Sequence, residues 1–319
     1  WWMYGGYAWL TNHATPNSRS CRILLILAMG SFLVQALAIP HAFGEAGVAF
    51  GVAYLVAVGV HSALFWSTTR AIGRIAVFNV VSALMVIAAG VVEGEGLKHG
   101  LWVAAVAIQW ISPYLGRVEN FRIQPAHFVE RHGLLIIVAL GESVVAIGIG
   151  ASGLALDAGL AAAAALGLAL VACLWWTYFV GDDERAEAAM AAANIEARPA
   201  LAIHAFFYAH IPMLLGIVCV AVGVKKALAH PTWALGTGPA VALGGGVALY
   251  LLGDVWFRRI LRIGRGTTRA VLAAAALATI PLGTVAAALQ LSTLVLLFVA
   301  AFVLEAARPE PAGAPSVAT

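Results

Sequence analysis

The sequence predicts an all-α polytopic membrane protein, and this prediction rests on its composition and on the lengths of its apolar runs. Of the 319 residues, 62% are hydrophobic and only 10% are charged, and the mean hydropathy is +0.94. A soluble domain usually carries about 25% charged residues, and a water-soluble fold of this length could not bury so much apolar surface. The apolar residues form runs of about 20, the length of a spanning helix, without the period-2 alternation of a membrane barrel. A soluble enzyme, a nucleic-acid-binding protein and a disordered scaffold are therefore excluded.

The first ten residues predict the last part of a helix rather than a complete span. The apolar stretch 1–10 is about half of the length that a span needs, and it leads into a polar segment with Pro16 and Arg19. No charged segment precedes an apolar core, so the pattern does not indicate a signal peptide. We therefore expect a helix remnant here, with further sequence upstream of it.

Ten complete apolar runs follow this remnant, and they predict ten transmembrane helices. They cover residues 20–39, 46–66, 71–91, 98–115, 130–150, 157–180, 201–223, 237–257, 269–287 and 289–306. The boundary between the last two runs rests only on the short segment 290–292. The residues that follow are rich in Pro and small side chains, which predicts a disordered tail over 307–319.

The loops carry Lys and Arg very unevenly, and this bias predicts the orientation of the chain. When the loops are assigned alternately to two faces, fifteen of the 18 basic residues fall on one face, and Lys98, Lys225 and Lys226 fall on the other. The larger group comprises Arg19, Arg22, Arg70, Arg74, Arg117, Arg122, Arg131, Arg185, Arg198, Arg258, Arg259, Arg262, Arg265, Arg269 and Arg308. The positive-inside rule puts the Arg-rich face, and with it the C-terminus, in the cytoplasm. An error in the number of spans would mix the two groups, so the bias also favours ten crossings.

A short aromatic motif recurs along the chain and predicts two related halves. W-W-M-Y at residues 1–4 returns as W-W-T-Y at residues 175–178, near the same predicted face. An even number of spans in a half makes the halves parallel, as in some transporters. Alternatively, Trp175 and Tyr178 anchor the chain in the interfacial aromatic belt, or they stack on a ligand. The two predicted halves are 1–126, with the partial helix and four spans of a truncated six-helix half, and 127–306, with six spans.

The segment 127–143 carries a more specific pattern. It reads His127-Phe128-Val129-Glu130-Arg131-His132-Gly133-Leu134 and continues to Leu140-Gly141-Glu142-Ser143. Together with W-L-T-N at 9–12, W-W-T-Y-F at 175–179 and Y-A-H-I-P at 208–212, it resembles the bacterial low temperature requirement A family over nearly the whole chain. The resemblance implies a multi-pass protein of the bacterial inner membrane and supplies neither a substrate nor a reaction. A family-like aspartate after the W-W-T-Y-F segment is displaced here to Asp182.

Glu142 is the first candidate for function, because an ionisable side chain at membrane depth is costly unless it faces a cavity or a partner. It follows Arg131 by eleven residues, which at ~1.5 Å per residue puts it roughly 16 Å deep, near the middle of the bilayer core. Arg131 lies on nearly the same side of the helix, with His127 at its cytoplasmic end, whereas Glu130 points away. Glu142 is predicted to bind a proton or a cation, or alternatively to form a structural hydrogen bond between helices.

His210 is the second candidate, because it lies in the middle of its run and two residues before Pro212. Proline removes a backbone hydrogen bond, and such breaks line cavities in some proteins and are plain kinks in others. Tyr208 is close in sequence but does not share a face with His210. A zinc site formed by His204, His210 and Glu142 would lack the usual i,i+4 ligand spacing. We expect no metal and no cofactor.

Three charged groups near the predicted cytoplasmic face have structural interpretations. Asp254 lies about one turn from the end of its span and is expected to pair with Arg258 at i+4. The acidic segment 182–187 is expected to form a solvated loop or the start of a helix. The arginines over 258–269 predict contact with anionic lipid.

These features predict a secondary transporter or channel-like protein in which Glu142 and His210 take up and release protons or bind a cation. Its partners would be the lipid bilayer and a small solute, proton or cation, and not nucleic acid. The alternative is a membrane-embedded sensor or structural factor, without transport, that supports growth at low temperature. Enzyme activity is not expected, because no G-x-S-x-G, H-E-x-x-H or P-loop pattern is present.

Overall fold

Helices make up all the regular structure that the computed structural model describes, which covers residues 1–13, 18–66, 72–116 and 123–307. The α-helices are numbered α1 to α14 in chain order. The disordered tail predicted over 307–319 lies outside the described residues, apart from Ala307. The chain divides into two compact units, each of which is described by itself.

The first unit comprises Trp1–Phe128 and Ala193–Ile203. Its helices are α1 (Trp2–His13), α2 (Arg19–Ala38), α3 (Gly47–Trp66), α4 (Ile72–Val91) and α5 (Glu95–Gly116). Ser18 caps α2, since its side-chain oxygen accepts a hydrogen bond from the backbone nitrogen of Cys21 at 3.1 Å. A 3-10 turn with Pro40 as its second residue ends the same helix.

Close glycine contacts and internal hydrogen bonds hold the first unit together. A Cβ added at Gly90 of α4 would lie 2.4 Å from the backbone nitrogen of Val48 in α3, so only glycine allows this approach. The Trp2 indole donates to Asn79 Oδ1 at 3.2 Å. In the same unit, the Gln109 amide donates to the hydroxyl oxygen of Tyr54 at 2.6 Å. These four polar side chains, which hydrocarbon could not satisfy, therefore find partners inside the unit.

The second unit comprises Val129–Ala192 and the residues from His204 onward. Its helices are α6 (Pro125–Ala151), α7 (Ala158–Phe179), α8 (Asp182–Ala192), α10 (His210–Ala229), α11 (Thr237–Leu261), α12 (Thr267–Ala278), α13 (Ile280–Gly283) and α14 (Ala287–Ala306). The first residues of α6, before Val129, belong to the first unit. Before α10 in the chain come the short helix α9 (Arg198–Leu201), which belongs to the first unit, and a π-helical segment over Ala202–Tyr208.

Small residues allow α10 and α11 to pack closely in the core of the second unit. A Cβ added at Gly216 would lie 2.6 Å from the carbonyl oxygen of Gly246, and one added at Gly253 would lie 2.6 Å from Met213 Cγ. Van der Waals packing of this kind replaces the hydrophobic effect as the force between helices in lipid. Side chains on the facing sides of α10 and α11 are thereby shielded from the surroundings, and fully buried Tyr250 is one of them.

The helices overlap all ten of the predicted apolar runs. The run 269–287 is divided into α12 and α13, with Pro281 near the start of the second piece. Among the described residues, seven helices are long and apolar enough to cross a membrane, while the apolar stretches Ile75–Val91 and Thr267–Gly283 are shorter. The prediction of an all-α membrane protein is confirmed at this level. Ten crossings and two parallel halves stay predictions.

Candidate functional site

The second unit encloses a group of polar and charged side chains that come together from five helices. We call it the buried polar cluster, and its members are Thr177, Tyr178, Asp182, His210, Tyr250, Asp254, Arg258 and Arg269. They come from α7, α8, α10, α11 and α12, and each is less than one-tenth exposed. Ionisable groups inside a membrane protein are costly and usually mark a function, so this cluster is the leading candidate site.

The backbone before His210 departs from regular α-helix. Pro212 has no N–H, so the α-helical hydrogen bond to the carbonyl of Tyr208 cannot form. The backbone nitrogen of Ala209 donates at 3.1 Å to the carbonyl of His204, which is five residues earlier. Segments with π geometry inside helices are frequent at functional sites. The π segment ends just before His210, whose side chain is fully buried.

The hydrogen bonds of His210 define its tautomer. Nδ1 lies 2.9 Å from the carbonyl oxygen of Ala205, and because a carbonyl can only accept, Nδ1 carries a hydrogen. In the neutral ring Nε2 then accepts a hydrogen bond from the Tyr178 hydroxyl, 3.1 Å away. In the protonated ring both nitrogens donate, and the Tyr178 oxygen accepts. When Nε2 receives a proton from another group, the pair therefore keeps its hydrogen bond if the Tyr178 hydroxyl hydrogen rotates away from the imidazole.

Aromatic rings surround the His210 ring. Ring centroids lie 5.4 Å away for Phe206, 5.3 Å for Phe257, 5.5 Å for His132 and 5.8 Å for Tyr178. The Phe206 ring is stacked at an interplanar angle of 26°, so it presents its face to the imidazole. The face of an aromatic ring within about 6 Å attracts a cation. This stacking would offset part of the cost of burying an imidazolium.

One side of α11 presents Tyr250, Asp254 and Phe257 together, since they are separated by four and three residues. The Tyr250 hydroxyl donates to a backbone carbonyl of α7 at 2.8 Å and lies 3.4 Å from Thr177 Oγ1. The Phe257 ring stacks on Tyr178 with centroids 6.0 Å apart. This side of α11 therefore connects the histidine pair with the charged part of the cluster.

Asp254 is fully buried, and neither of its carboxyl oxygens has a hydrogen-bond partner among the described residues. Its nearest cation is Arg269, whose Nη1 lies 3.8 Å from Asp254 Oδ2. Nε of the same arginine lies 3.4 Å from Glu305 Oε1, and the Glu305 side chain is 32% exposed. Because no hydrogen bond occupies its oxygens, Asp254 can accept a proton without breaking one.

Asp182 is the second buried acid of the cluster, and its charge is well compensated. Its Oδ2 accepts a hydrogen bond from Arg258 Nη1 at 2.7 Å, and its Oδ1 contacts Arg185. These contacts tie the first turn of α8 to the last turn of α11. A buried charge with a hydrogen-bonded partner is tolerated, whereas an unpaired one is not. Asp182 therefore has the contacts of a structural ion pair, whereas Asp254 has no hydrogen bond to a cation among the described residues.

One prediction about these charges is wrong, and another is confirmed. Asp254 does not pair with Arg258 at i+4, because Arg258 reaches Asp182 on α8 while Asp254 faces Arg269 on α12. The prediction that the segment 182–187 forms a solvated loop or the start of a helix is confirmed in its second form, and within this helix start Asp182 is 1% exposed. Gly181 has a φ of +88°, a left-handed conformation that favours glycine, and it lies in the short turn between α7 and α8. This turn brings Asp182 inward.

Glu142 and His210 differ in their surroundings. Glu142 is exposed on α6, as are Glu130 and Arg131, and His127 is partly buried. His210, in contrast, is fully buried among aromatic rings. The structure therefore does not support a common cavity for Glu142 and His210. The role of Glu142 as a separate proton- or cation-binding group stays a prediction.

The aromatic candidates also separate into different environments. Tyr208 is buried, with its ring centroid 5.7 Å from that of His204. Trp175 is 41% exposed and stacks on Phe179 at 5.5 Å, and its place in an interfacial belt stays a prediction. Tyr178 is fully buried and bonded to His210, so the prediction that it anchors in the belt is wrong.

Sequence reasoning did not select His132, Tyr250 or Arg269 as site residues. The i,i+4 spacing of Tyr250 and Asp254 was a usable signal, because it puts both on one side of a helix. No local pattern indicates that Arg269 points inward, since it follows a glycine-containing loop like other topological arginines. Among the described residues, no three His, Cys, Asp or Glu side chains group as a metal site requires.

Comparison with known proteins confirms the resemblance seen in the sequence. The family model described as bacterial low temperature requirement A protein (LtrA) matches residues 1–304. The uncharacterized protein RA0937 of Rhizobium meliloti (strain 1021) is 29% identical over 279 residues, which cover 82% of this chain and 67% of that protein. No solved structure matches this chain significantly. Because the family match includes the whole buried polar cluster and extends over nearly all the described residues, the chain belongs to the LtrA family.

Proposed function

We propose that this integral membrane protein moves protons across the bacterial inner membrane through the buried polar cluster, alone or coupled to a small solute or cation. The observation that carries the proposal is the hydrogen-bonded pair of His210 and Tyr178, fully buried among spanning helices. His210 lies inside the apolar run Arg198–Ala229, which is long enough to cross a membrane. A histidine inside such a run, with a defined donor and acceptor, is suited to proton transfer.

The proposed route leads from His210 through Tyr178 towards the charged end of the cluster. Thr177 precedes Tyr178 in α7, and its Oγ1 lies 3.4 Å from the Tyr250 hydroxyl oxygen. Tyr250 is one turn from Asp254 in α11. A water molecule or a side-chain rotation would complete the transfer from the tyrosines to the Asp254 carboxyl group. Arg269 lies between Asp254 and Glu305. Because Glu305 is partly exposed, its carboxyl group is the proposed exit for the proton.

The test measures proton flux in vesicles that contain the purified protein and the pH-sensitive dye pyranine. An imposed pH gradient should decay faster with the wild-type protein than in empty vesicles, with Na⁺ or K⁺ supplied as a coupling cation in separate arms. We expect His210→Gln and Asp254→Asn to lower the rate at least tenfold, roughly the effect of removing one proton-transfer group. Tyr178→Phe should lower it as well, because the phenyl ring keeps the contact with Phe257 but has no hydroxyl.

Glu187→Gln is the matched control, because it removes an exposed carboxyl group of α8 that lies outside the cluster. The proposed route predicts that this variant keeps the wild-type rate. Circular dichroism and gel filtration in detergent would show that each variant is folded. Wild-type vesicles that behave like empty ones in every arm, or equal rates for Asp254→Asn and wild type, would contradict the proposal.

A non-transporting structural or sensor role is the second candidate, and the Asp182–Arg258 contact favours it. At 2.7 Å, with Arg185 as a further partner, this ion pair has the geometry of a structural link between α8 and α11. If the cluster is structural throughout, Asp254→Asn should change the thermal unfolding midpoint, and no vesicle should show a proton flux. A flux that disappears in Asp254→Asn with an unchanged unfolding midpoint would exclude this role.

A further inference from the structure

We propose that Arg259, Arg262 and Arg265 form a binding site for the phosphate group of an anionic phospholipid. The proposal does not depend on proton movement. It rests on the burial and the ion pairs of the five arginines in the segment 258–269, which differ from one arginine to the next. All five count equally in the positive-inside bias, but their environments differ.

Two of the five arginines point into the second unit and have carboxylate partners. Arg258 is hydrogen-bonded to Asp182, and Arg269 lies beside Asp254 and Glu305. Their charges are used inside the protein and are not accessible to a ligand. These two arginines therefore do not belong to a lipid site.

The other three arginines point outward. Arg259, Arg262 and Arg265 are exposed, and no ion pair joins any of them to a carboxylate in the part of the chain that the structure describes. They lie in the last turn of α11 and in the loop that leads to α12. Three cations within seven residues at the end of a spanning helix make a local positive charge that an anion would neutralise.

The backbone at Arg262 gives an independent indication that its side chain is used. Its φ of +58° is left-handed, and it is the one non-glycine residue with positive φ among those described. Arg262 ends α11, a position where glycine is the usual residue, and a residue with a Cβ costs stability there. An arginine in this conformation costs backbone stability, and its side chain is exposed at the end of the helix.

The neighbouring tryptophan indicates that the ligand is a lipid. Trp256 is 44% exposed and lies three residues before Arg259, so both are on the same side of α11. Exposed tryptophans of spanning helices lie at the level of the lipid headgroups. Arg259 is therefore expected to lie at the depth of the phosphates, with Arg262 and Arg265 just beyond it. A guanidinium can bind a phosphate with two parallel hydrogen bonds.

The test measures retention of defined lipids by delipidated protein in detergent, using native mass spectrometry with phosphatidylglycerol or phosphatidylcholine at equal concentrations. Wild-type protein should bind phosphatidylglycerol preferentially, and higher salt should weaken the preference. Each arginine near a membrane surface contributes about a fivefold change in affinity. We therefore expect the triple variant R259Q/R262Q/R265Q to lose most of the preference. Arg19→Gln, which removes an exposed arginine of the first unit, should keep it.

Arg262→Gly separates lipid binding from folding. Glycine suits the left-handed backbone, so this variant should unfold at the same temperature as wild type or higher. It should nevertheless bind phosphatidylglycerol about fivefold more weakly. The proposal is overturned if the triple variant retains the wild-type preference, if wild type does not distinguish the two lipids, or if millimolar inorganic phosphate displaces phosphatidylglycerol, which would indicate a site for free phosphate.

Discussion

At the scale of single residues, adjacent arginines on α11 have opposite roles, and this difference predicts their effects on stability. Arg258 neutralises buried Asp182, while Arg259 is exposed. Arg258→Gln would leave the Asp182 carboxylate in the interior without its hydrogen-bonded inner partner. Removal of one partner of a buried pair costs about 3–5 kcal/mol. We expect a loss of this size in the free energy of unfolding, measured by denaturant titration in mixed micelles.

Arg259→Gln is the control for this prediction, because it removes the same charge one position along the chain. A surface substitution usually changes stability by less than about 0.5 kcal/mol. A double variant, Asp182→Asn with Arg258→Gln, should recover part of the loss, since it removes both buried charges. Equal losses in Arg258→Gln and Arg259→Gln would show that the Asp182 contact does not stabilise the fold.

Residue identity and spacing predicted where the ionisable groups lie along the chain but not which partners they contact. His210 was selected from its position beside Pro212, and its buried, hydrogen-bonded environment supports that selection. The partner of Asp254 was predicted from i,i+4 spacing, which describes contacts within one helix only. The actual neighbour, Arg269, lies on another helix, and such a contact depends on tertiary packing. Burial of Tyr178 depends on packing in the same way.

At the scale of helices, neighbouring glycines of α11 predict which positions set the distance to α10. A Cβ at Gly246 would lie 2.8 Å from the carbonyl oxygen of Gly216, whereas the nearest atom to a Cβ at Gly245 is Val241 Cγ1 at 3.7 Å. Gly246→Ala must push the helices apart, and overpacking typically costs about 1–3 kcal/mol. Gly245→Ala has room for its methyl group and should stabilise the helix by about 0.5–1 kcal/mol.

Thermal unfolding in detergent would distinguish these two glycine variants. The midpoint should fall for Gly246→Ala and stay the same or rise for Gly245→Ala. A similar fall in both would mean that flexibility of α11, and not close approach to α10, is the property that glycine supplies.

Run length and hydropathy were sufficient to predict where helices occur, because a spanning segment must satisfy its backbone internally. They were not sufficient for the interruptions. The π segment Ala202–Tyr208 and the division between α12 and α13 depend on how Pro212 and Pro281 are accommodated. A proline in an apolar run indicates a possible break, but neighbouring helices determine its form.

At the scale of the whole molecule, each compact unit satisfies its polar groups in its own way. The described part of the first unit uses uncharged pairs such as Gln109 with Tyr54, and the second unit also encloses ion pairs. Composition alone predicted a membrane protein, because it reflects the total apolar surface. Composition could not predict that the buried ion pairs seen in the described part of the chain belong to the second unit, since sequence segments that are far apart supply them. The family match is likewise a property of the chain as a whole.

The topology of the chain leads to the last prediction, which concerns the first eight of the ten predicted crossings and a cytoplasmic Arg-rich face. Single cysteines would be introduced by His99→Cys and Lys226→Cys on the predicted outer face, and by Arg22→Cys and Arg259→Cys on the inner face. The background protein would lack the native cysteines, Cys21, Cys173 and Cys219. A membrane-impermeant maleimide added to intact cells should label only the first pair, while all four should react after the membrane is opened. The positive-inside rule is the physical reason for this orientation. Ten crossings would be contradicted if Arg22→Cys or Arg259→Cys reacts in intact cells, or if only one of the two outer positions is protected. The reason is that each helix that fails to cross moves every later loop to the other face.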